Sequence, residues 1–237
     1  MAPAPSYIDL TQPLDGHTPP YPGDPRFHCT PIIDEPSGFA ISQLSLSSHS
    51  GTHIDAPSHL FPSTTPIDAF PLSTFIVPAR VVDLRHKTAR ARITWADLAP
   101  SAAHIDALEG EGGGAVLLCT GWSRFWTGGA QAYADHPFLD ADAAERLLAR
   151  GVRIVGVDTF SPDATVAEGT AADYAVHRAV LGRGALIVEN LTNLDALLRA
   201  QEAMAHGERL MLSVVPLKIA GCDGSPVRAF GWVERAG

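Results

Sequence analysis

His49-Ser50-Gly51-Thr52-His53-Ile54-Asp55 sets two imidazoles and a carboxylate at alternate positions of a short run. In an extended strand, side chains of one parity share a face, so His49, Gly51, His53 and Asp55 would point the same way. Gly51 leaves a gap in which nitrogen and oxygen donors have room to converge on a divalent cation. His59 follows at the same parity, but Pro57 bends the chain before it. A lone histidine is usually a surface or hydrogen-bonded residue. Three histidines and an aspartate between positions 49 and 59 are harder to dismiss. Their spacing points to a metal or a catalytic role and leaves those two open.

Upstream of this run, residues 41–48 alternate, with Leu44 and Leu46 on one face and Ser45 and Ser47 on the other. The pattern predicts a half-buried strand leading straight into His49. Residues 1–40 are rich in proline and turn formers, densest at Pro19-Pro20-Tyr21-Pro22-Gly23-Asp24-Pro25. They read as an ordered loop segment that lines a site or reaches a neighbouring subunit. Downstream, short apolar or β-branched runs at residues 79–84, 115–119, 152–157, 185–188, 209–215 and 227–233 predict strands. A helix follows the N-cap Asp140 and stops at Gly151; two more are expected at about 171–181 and 195–205. No internal repeat is visible, and the mixed order of elements predicts an α/β fold with a mixed sheet, residues 1–237 forming a single domain. The glycine cluster at 110–114 precedes a strand and lacks the Lys-Ser/Thr that completes a phosphate loop, so it reads as a solvent turn.

A chain of 237 residues with 46% hydrophobic content can bury one substantial core. A formal net charge of -9, with no cluster of Lys and Arg, excludes a nucleic-acid partner and leaves a small molecule as the expected one. Cys29, Cys119 and Cys222 form no CxxC pair and are odd in number, which argues against a disulfide framework or a thiolate zinc site and for a reducing compartment. The opening MAPAPSYIDLTQPLDG lacks the basic and apolar regions of a signal peptide, and no apolar run approaches the ~20 residues that span a bilayer. The expectation is a cytoplasmic protein with no membrane partner.

The string HSGTHIDAPSH resembles the H-x-G-T-H-x-D-x-P-x-H signature of the cyclase family of metal-dependent hydrolases, which includes bacterial kynurenine formamidases and isatin hydrolases. Every fixed position matches. The resemblance extends to Val157-Asp158-Thr159 before Ser161-Pro162, His177, Val188-Glu189-Asn190-Leu191, Pro216-Leu217-Lys218 and Gly224-Ser225-Pro226-Val227-Arg228. It implies a swivelling β/β/α fold and, as in the formamidases, two metal ions. His49, His53 and Asp55 would hold the first, and Asp55 would bridge to a second held by His177 and Glu189, with Glu189 contacting both. Glu189 also stands out unaided, because a carboxylate ending the apolar run 185–188 is misplaced unless it has a charged partner. The donor types suit zinc or manganese and do not separate them; zinc is the expected ion and manganese the alternative, at one or two ions per chain.

By the same resemblance His59 is the proton donor and acceptor, its alternative being a third metal ligand. The implied reaction is attack of metal-activated water on an amide or formyl carbon. Asp158, Thr159 and Asp163 are either groups that support the ligands or parts of a strand-end turn. The formamidases carry a tryptophan before Pro-Gly-Asp that touches substrate; Tyr21 stands there in this chain, keeping an aromatic and an aromatic substrate in view. Phe70, Phe75, Trp122, Phe125 and Trp126 line an aromatic pocket or pack the core. His17, His28, His86, His104, His136 and His206 stand without supporting neighbours and read as surface residues. The leading function is hydrolysis of an aryl formamide or cyclic aryl amide such as an isatin-like lactam. The alternatives are a cyclase or dehydratase of secondary metabolism using the same site, and a non-catalytic metal-binding relative. Family members close the pocket with neighbouring subunits, which implies a homodimer or homotetramer.

Overall fold

The run Gly114–Cys119 has no polar face to offer solvent, and all six of its residues are buried at the centre of the molecule. The computed structural model describes residues 6–34, 36–167, 170 and 173–235. Its strands, in chain order, are β1 (Ile8–Asp9), β2 (His28–Asp34), β3 (Phe39–Ser45), β4 (His53–Asp55), β5 (Ile76–Asp83), β6 (Arg92–Ile93), β7 (Gly114–Cys119), β8 (Phe138–Leu139), β9 (Val152–Val157), β10 (Leu186–Glu189), β11 (Glu208–Ser213), β12 (Gly224–Pro226) and β13 (Phe230–Arg235). Nine of them form one mixed sheet in the order β1-β13-β11-β5-β7-β9-β10-β4-β12. The central β5, β7, β9 and β10 run parallel, and antiparallel strands flank them on both sides. Apolar strands at the centre are what a parallel sheet covered on both faces requires.

Strand alternation divides the core in two. Ala115, Leu117 and Cys119 face one apolar cluster with Leu194, Leu197 and Leu198 of the helix Leu194–Glu202. Val116 and Leu118 face the other, with Ile105, Leu108, Leu147, Val180 and Leu181 from the helices Ala102–Gly110, Ala141–Leu148 and Ala175–Leu181. Asp140 caps its helix through the Asp142 N–H, as expected from sequence. The helix Ala102–Gly110 was not anticipated. The expected helix at 171–181 is seen from Ala175; residues 171 and 172 lie outside the described residues. No helix among the described residues is long and apolar enough to cross a membrane.

Three expectations need correction. The segment 1–40 is not loop throughout: β2 falls within it and pairs with β3 from His28↔Ser45 to Asp34↔Phe39, a two-stranded sheet apart from the large one. The strand before His49 is not half-buried, because every residue of β3 is exposed, and it ends at Ser45. The alternation of 41–48 is real, but its hairpin partner supplies no third layer to bury the apolar face. The run 227–233 is also interrupted, since Val227 follows β12 and bonds the Thr52 carbonyl beside β4, and β13 begins only at Phe230.

His136, expected at the surface, is only 1% exposed. Its Nδ1 donates to the Pro137 carbonyl at 2.7 Å and its Nε2 meets the Thr165 hydroxyl at 2.7 Å. Burial pushes its pKa down to about 4, against the raising effect of the Pro137 carbonyl. The unfolded chain therefore binds this proton more readily than the folded one. The stabilising contribution is intact above about pH 6.5 and is lost as the pH falls toward 4. Over that window the cost approaches roughly 3 kcal/mol at ~1.4 kcal/mol per pKa unit. His136→Gln, which does not titrate, should flatten the decline of the urea midpoint between pH 7 and pH 4.5 relative to wild type. Parallel declines would show that His136 is not the acid-sensitive group.

Candidate metal centre

The approach to His49 is built by two serines. The Ser50 N–H donates to the Ser47 carbonyl at 3.1 Å, the Ser47 N–H to the Ser50 hydroxyl at 3.0 Å, and the His49 N–H to the Ser47 hydroxyl at 3.2 Å. His49 therefore sits in a turn, not on the extended strand expected from its parity. Gly51 follows at φ +64, where a Cβ would also meet Leu14 Cδ2 at 2.5 Å. Its role is to reverse the chain, beyond leaving a gap. The turn folds His49 back over β4, and its Nδ1 comes within 2.8 Å of Asp55 Oδ1. Gly224 makes the room, since a Cβ there would stand 3.1 Å from His49 Cε1 and 2.7 Å from the Ile54 carbonyl.

Only His53 and Asp55 share a strand face as expected, with Ile54 between them in the core. In the antiparallel register Glu189 of β10 pairs with His53. Directly opposed residues on neighbouring strands project to the same side, which sets His53 Nε2 at 3.3 Å from both Glu189 Oε2 and Asp55 Oδ1. His177 arrives from the first turn of its helix. Asp163 caps that turn, accepting from the N–H groups of Val176 and His177, and takes the His177 Nδ1–H at 2.7 Å. The other ring nitrogen is left 3.7 Å from Asp55 Oδ2 and 3.5 Å from Glu189 Oε1.

These separations test whether the residues fit a cation. Asp55 Oδ2 and Glu189 Oε1 are buried and have no hydrogen-bond partner among the described residues. Donors around one ion at ~2.1 Å stand roughly 3–3.5 Å apart. That is close to the spacings of His53 and His177 from the two carboxylates, which are long for hydrogen bonds, whereas His49 at 2.8 Å is within hydrogen-bonding distance of Asp55. His53, Asp55 and Glu189 form one three-donor group, and His49, Asp55 and His59 another, with Asp55 common to both. The donor set suits divalent cations.

Electrostatics agree. Burial would lower His49 and His177, but Asp55 and Asp223 outweigh it at His49, pushing it up to about 9, and Asp163 and Asp55 do so at His177, up to about 10. Burial raises Asp55, yet His53 and His49 hold it well below the usual carboxylate range. Without a cation, protons on the imidazoles supply the positive charge that the buried carboxylates require.

His59 ends a short 3₁₀ turn that begins at Pro57. Its Nδ1 lies 3.2 Å from Asp223 Oδ2, and the same oxygen is 3.0 Å from His49 Nε2. Sequence reasoning missed Asp223; its one signal was the Gly224-Ser225-Pro226-Val227-Arg228 stretch that begins at the next residue. A cavity of about 320 Å³ opens over the cluster, with His49, His53, His59, His177, Glu189, Tyr21, Phe160 and Tyr174 among its lining. Tyr21 packs edge-on against Phe160 at 6.0 Å. Trp122 and Trp126 sit with Tyr133 and Phe160 in an aromatic cluster, Phe125 packs against it, and none of the three lines the cavity. Phe75 belongs to the main core, with Phe70 packed beside it. Asp163 supports His177 directly, whereas Asp158 caps the turn at Thr120 and Gly121, its pKa raised by burial to about 6. Thr159 bonds the Ser161 carbonyl.

This fold and donor set are those of a metal-dependent hydrolase, and comparison with known proteins agrees. The family model "Putative cyclase" matches residues 8–164. A kynurenine formamidase from Geobacillus thermodenitrificans is 31% identical over 94% of this chain and 95% of its own length. Isatin hydrolase A from Ralstonia solanacearum superposes with a TM-score of 0.78 at 27% identity, over 97% of this chain and 92% of that one. A structure described as a "predicted metal-dependent hydrolase" from Bacillus stearothermophilus gives 0.70 at 26% identity, covering 98% of this chain and 100% of that one. The chain belongs to the cyclase family, and the α/β fold implied by its signature is the one it adopts.

The two unpartnered oxygens predict that a divalent cation stabilises the folded chain. Zinc or manganese at one hundred times its Kd should add about 2.7 kcal/mol and raise Tm by several degrees. Asp55→Asn should remove most of that increment, because both donor groups use Asp55. A Tm indifferent to chelation and to added metal would contradict this reading.

Proposed function

We propose that this chain hydrolyses an aryl formamide or a cyclic aryl amide. The observation that carries the reading is the half-exposed His59, held by Asp223 beside a buried donor cluster at an aromatic-walled cavity. Relatives named kynurenine formamidase and isatin hydrolase support the substrate class. His49, His53 and Asp55 would hold one ion, and Asp55, His177 and Glu189 a second, zinc being the first choice and manganese the other. When bound, such ions acidify water and polarise a carbonyl.

The protein's own groups do the rest. With Nδ1–H donated to Asp223, the His59 ring keeps its other nitrogen for the substrate. In hydrolysis a C–O bond forms, the C–N bond breaks, and the leaving nitrogen takes a proton from His59, which recovers one from water. Asp163 and the Gly51 carbonyl hold the His177 and His53 rings so that their second nitrogens face the carboxylates. Tyr21, on Phe160, forms an aromatic wall for the aryl group. His59→Ala should lower turnover by roughly 10²- to 10⁴-fold with metal content near wild type, the range for a general acid. The defect should shrink as the leaving group becomes more acidic, and His53→Ala should lose metal and activity together. Loss of metal in His59→Ala would make it a ligand; full activity would remove it from the chemistry. A panel of formylkynurenine, isatin and related lactams tests the substrate class directly.

The same reading makes the chain one cytoplasmic domain, a location that its free cysteines suit, and a homodimer or homotetramer. The exposed apolar residues Ile32, Phe39, Ile41 and Leu44 of the β2–β3 hairpin support assembly, because an isolated two-stranded sheet is only marginally stable in water. Phe39→Lys with Leu44→Lys should lower the mass measured by light scattering. An unchanged mass would place the interface elsewhere.

A further inference from the structure

Asn190 follows Glu189 at the end of β10 and holds φ at +59, a region asparagine tolerates better than most residues. It is buried, and each of its polar groups is used. Its N–H donates to the Thr159 carbonyl at 3.0 Å, and its own carbonyl accepts from the Thr52 hydroxyl at 2.7 Å. The side-chain Nδ2 donates to the Gly51 carbonyl at 2.9 Å, and Oδ1 accepts from the hydroxyl of the fully buried Tyr133 at 3.1 Å. That Gly51 carbonyl also receives the His53 Nδ1–H, at 2.9 Å. One peptide oxygen, in a turn made pliable by glycine, thus takes both the amide of Asn190 and the imidazole of His53.

An imidazole presents a lone pair in a fixed direction only when its other nitrogen is tied to a fixed acceptor. For His53 that acceptor is Gly51, and the tie that fixes Gly51 from outside its own turn is Asn190. We propose that Asn190 is a positioning residue for His53: backed by Tyr133, it anchors the Gly51 carbonyl and so aims His53 Nε2 between Asp55 and Glu189. The inference rests on the metal-centre reading above. It assigns no contact between Asn190 and substrate.

The test is zinc affinity of the folded protein without substrate, by competition with a chromogenic chelator, together with the absorption spectrum of the Co²⁺ form. Asn190→Gly accepts the positive φ and deletes the amide; Asn190→Asp keeps an acceptor for Tyr133 and loses the donor to Gly51. Both should weaken zinc binding by roughly 10- to 100-fold, the usual effect of removing a group that orients a ligand, and should alter the Co²⁺ bands. Tyr133→Phe should shift affinity the same way by a smaller factor. Combined with Asn190→Gly it should add nothing to the loss of zinc affinity, since the Asn190 acceptor is already gone and the hydroxyl's other acceptor, the Asp158 carbonyl at 3.3 Å, does not touch Gly51. Should Asn190→Gly fail to fold, Asn190→Asp and Tyr133→Phe still decide the matter. Unchanged zinc affinity in the folded variants overturns the proposal, as does a double variant whose losses multiply. Wild-type protein that binds no divalent ion overturns the metal-centre reading and this inference with it, whereas wild-type binding matched by the variants removes only the inference.

Discussion

The carboxylate of Asp55 is 1% exposed, and a charge so buried persists only beside compensating charge or directed hydrogen bonds. The site is the fold's answer to that requirement. Three imidazoles reach Asp55 from three different elements: His53 from its own strand, His49 from the turn before it, and His177 from a helix more than a hundred residues further on. β4 is only three residues long, yet its alternation serves packing and chemistry together. Ile54 points into the apolar cluster while His53 and Asp55 point into the site. A slip of one residue against β10 would bury both polar side chains in that cluster and break the pairing of His53 with Glu189.

Position in the sheet explains why polar groups are tolerable here. The central strand β7 is apolar on both faces, and its neighbours β5 and β9 bury apolar side chains in both core clusters. The chemistry gathers where β9 and β10 end, with Ser161 and Asp163 in the loop after β9 and Asn190 just after β10. Open α/β sheets place their sites outside the carboxyl ends of parallel strands, where loops can converge. Antiparallel β4 begins at that same end, so its first residue, His53, enters the site from the opposite direction.

Much of this was legible in the chain. The apolar runs declared the central strands, Asp140 declared a helix start, and the HSGTHIDAPSH string carried the donors that gather at the cavity. Other features were closed to sequence reading for identifiable reasons. Period-two reasoning puts His49 on a strand because it has no means of seeing that Gly51 takes φ +64 and that two serine hydroxyls compete with the ladder. Asp223 lies 164 residues from His59, and only the antiparallel return of β12 along β4 brings it near. His136 looks solitary in sequence because its partners are a carbonyl and a distant threonine hydroxyl, neither of which leaves a pattern. The hairpin's alternation was readable, but whether a third layer covers it is decided by tertiary structure.

Asp223 also shows how the two halves of the site are joined. One of its oxygens lies within hydrogen-bonding distance of both His49 and His59, whose rings lie tilted at 41° with centroids 4.0 Å apart, and the Ser48 hydroxyl holds the other oxygen. With 39% of its side chain exposed, Asp223 works in a setting where solvent screens charge, so its contribution is mainly directional. Asp55, sealed from water, sets charge; Asp223, at the rim, sets orientation. His49 touches both carboxylates, and through it the placement of His59 is tied to the same buried aspartate on which the donor cluster depends.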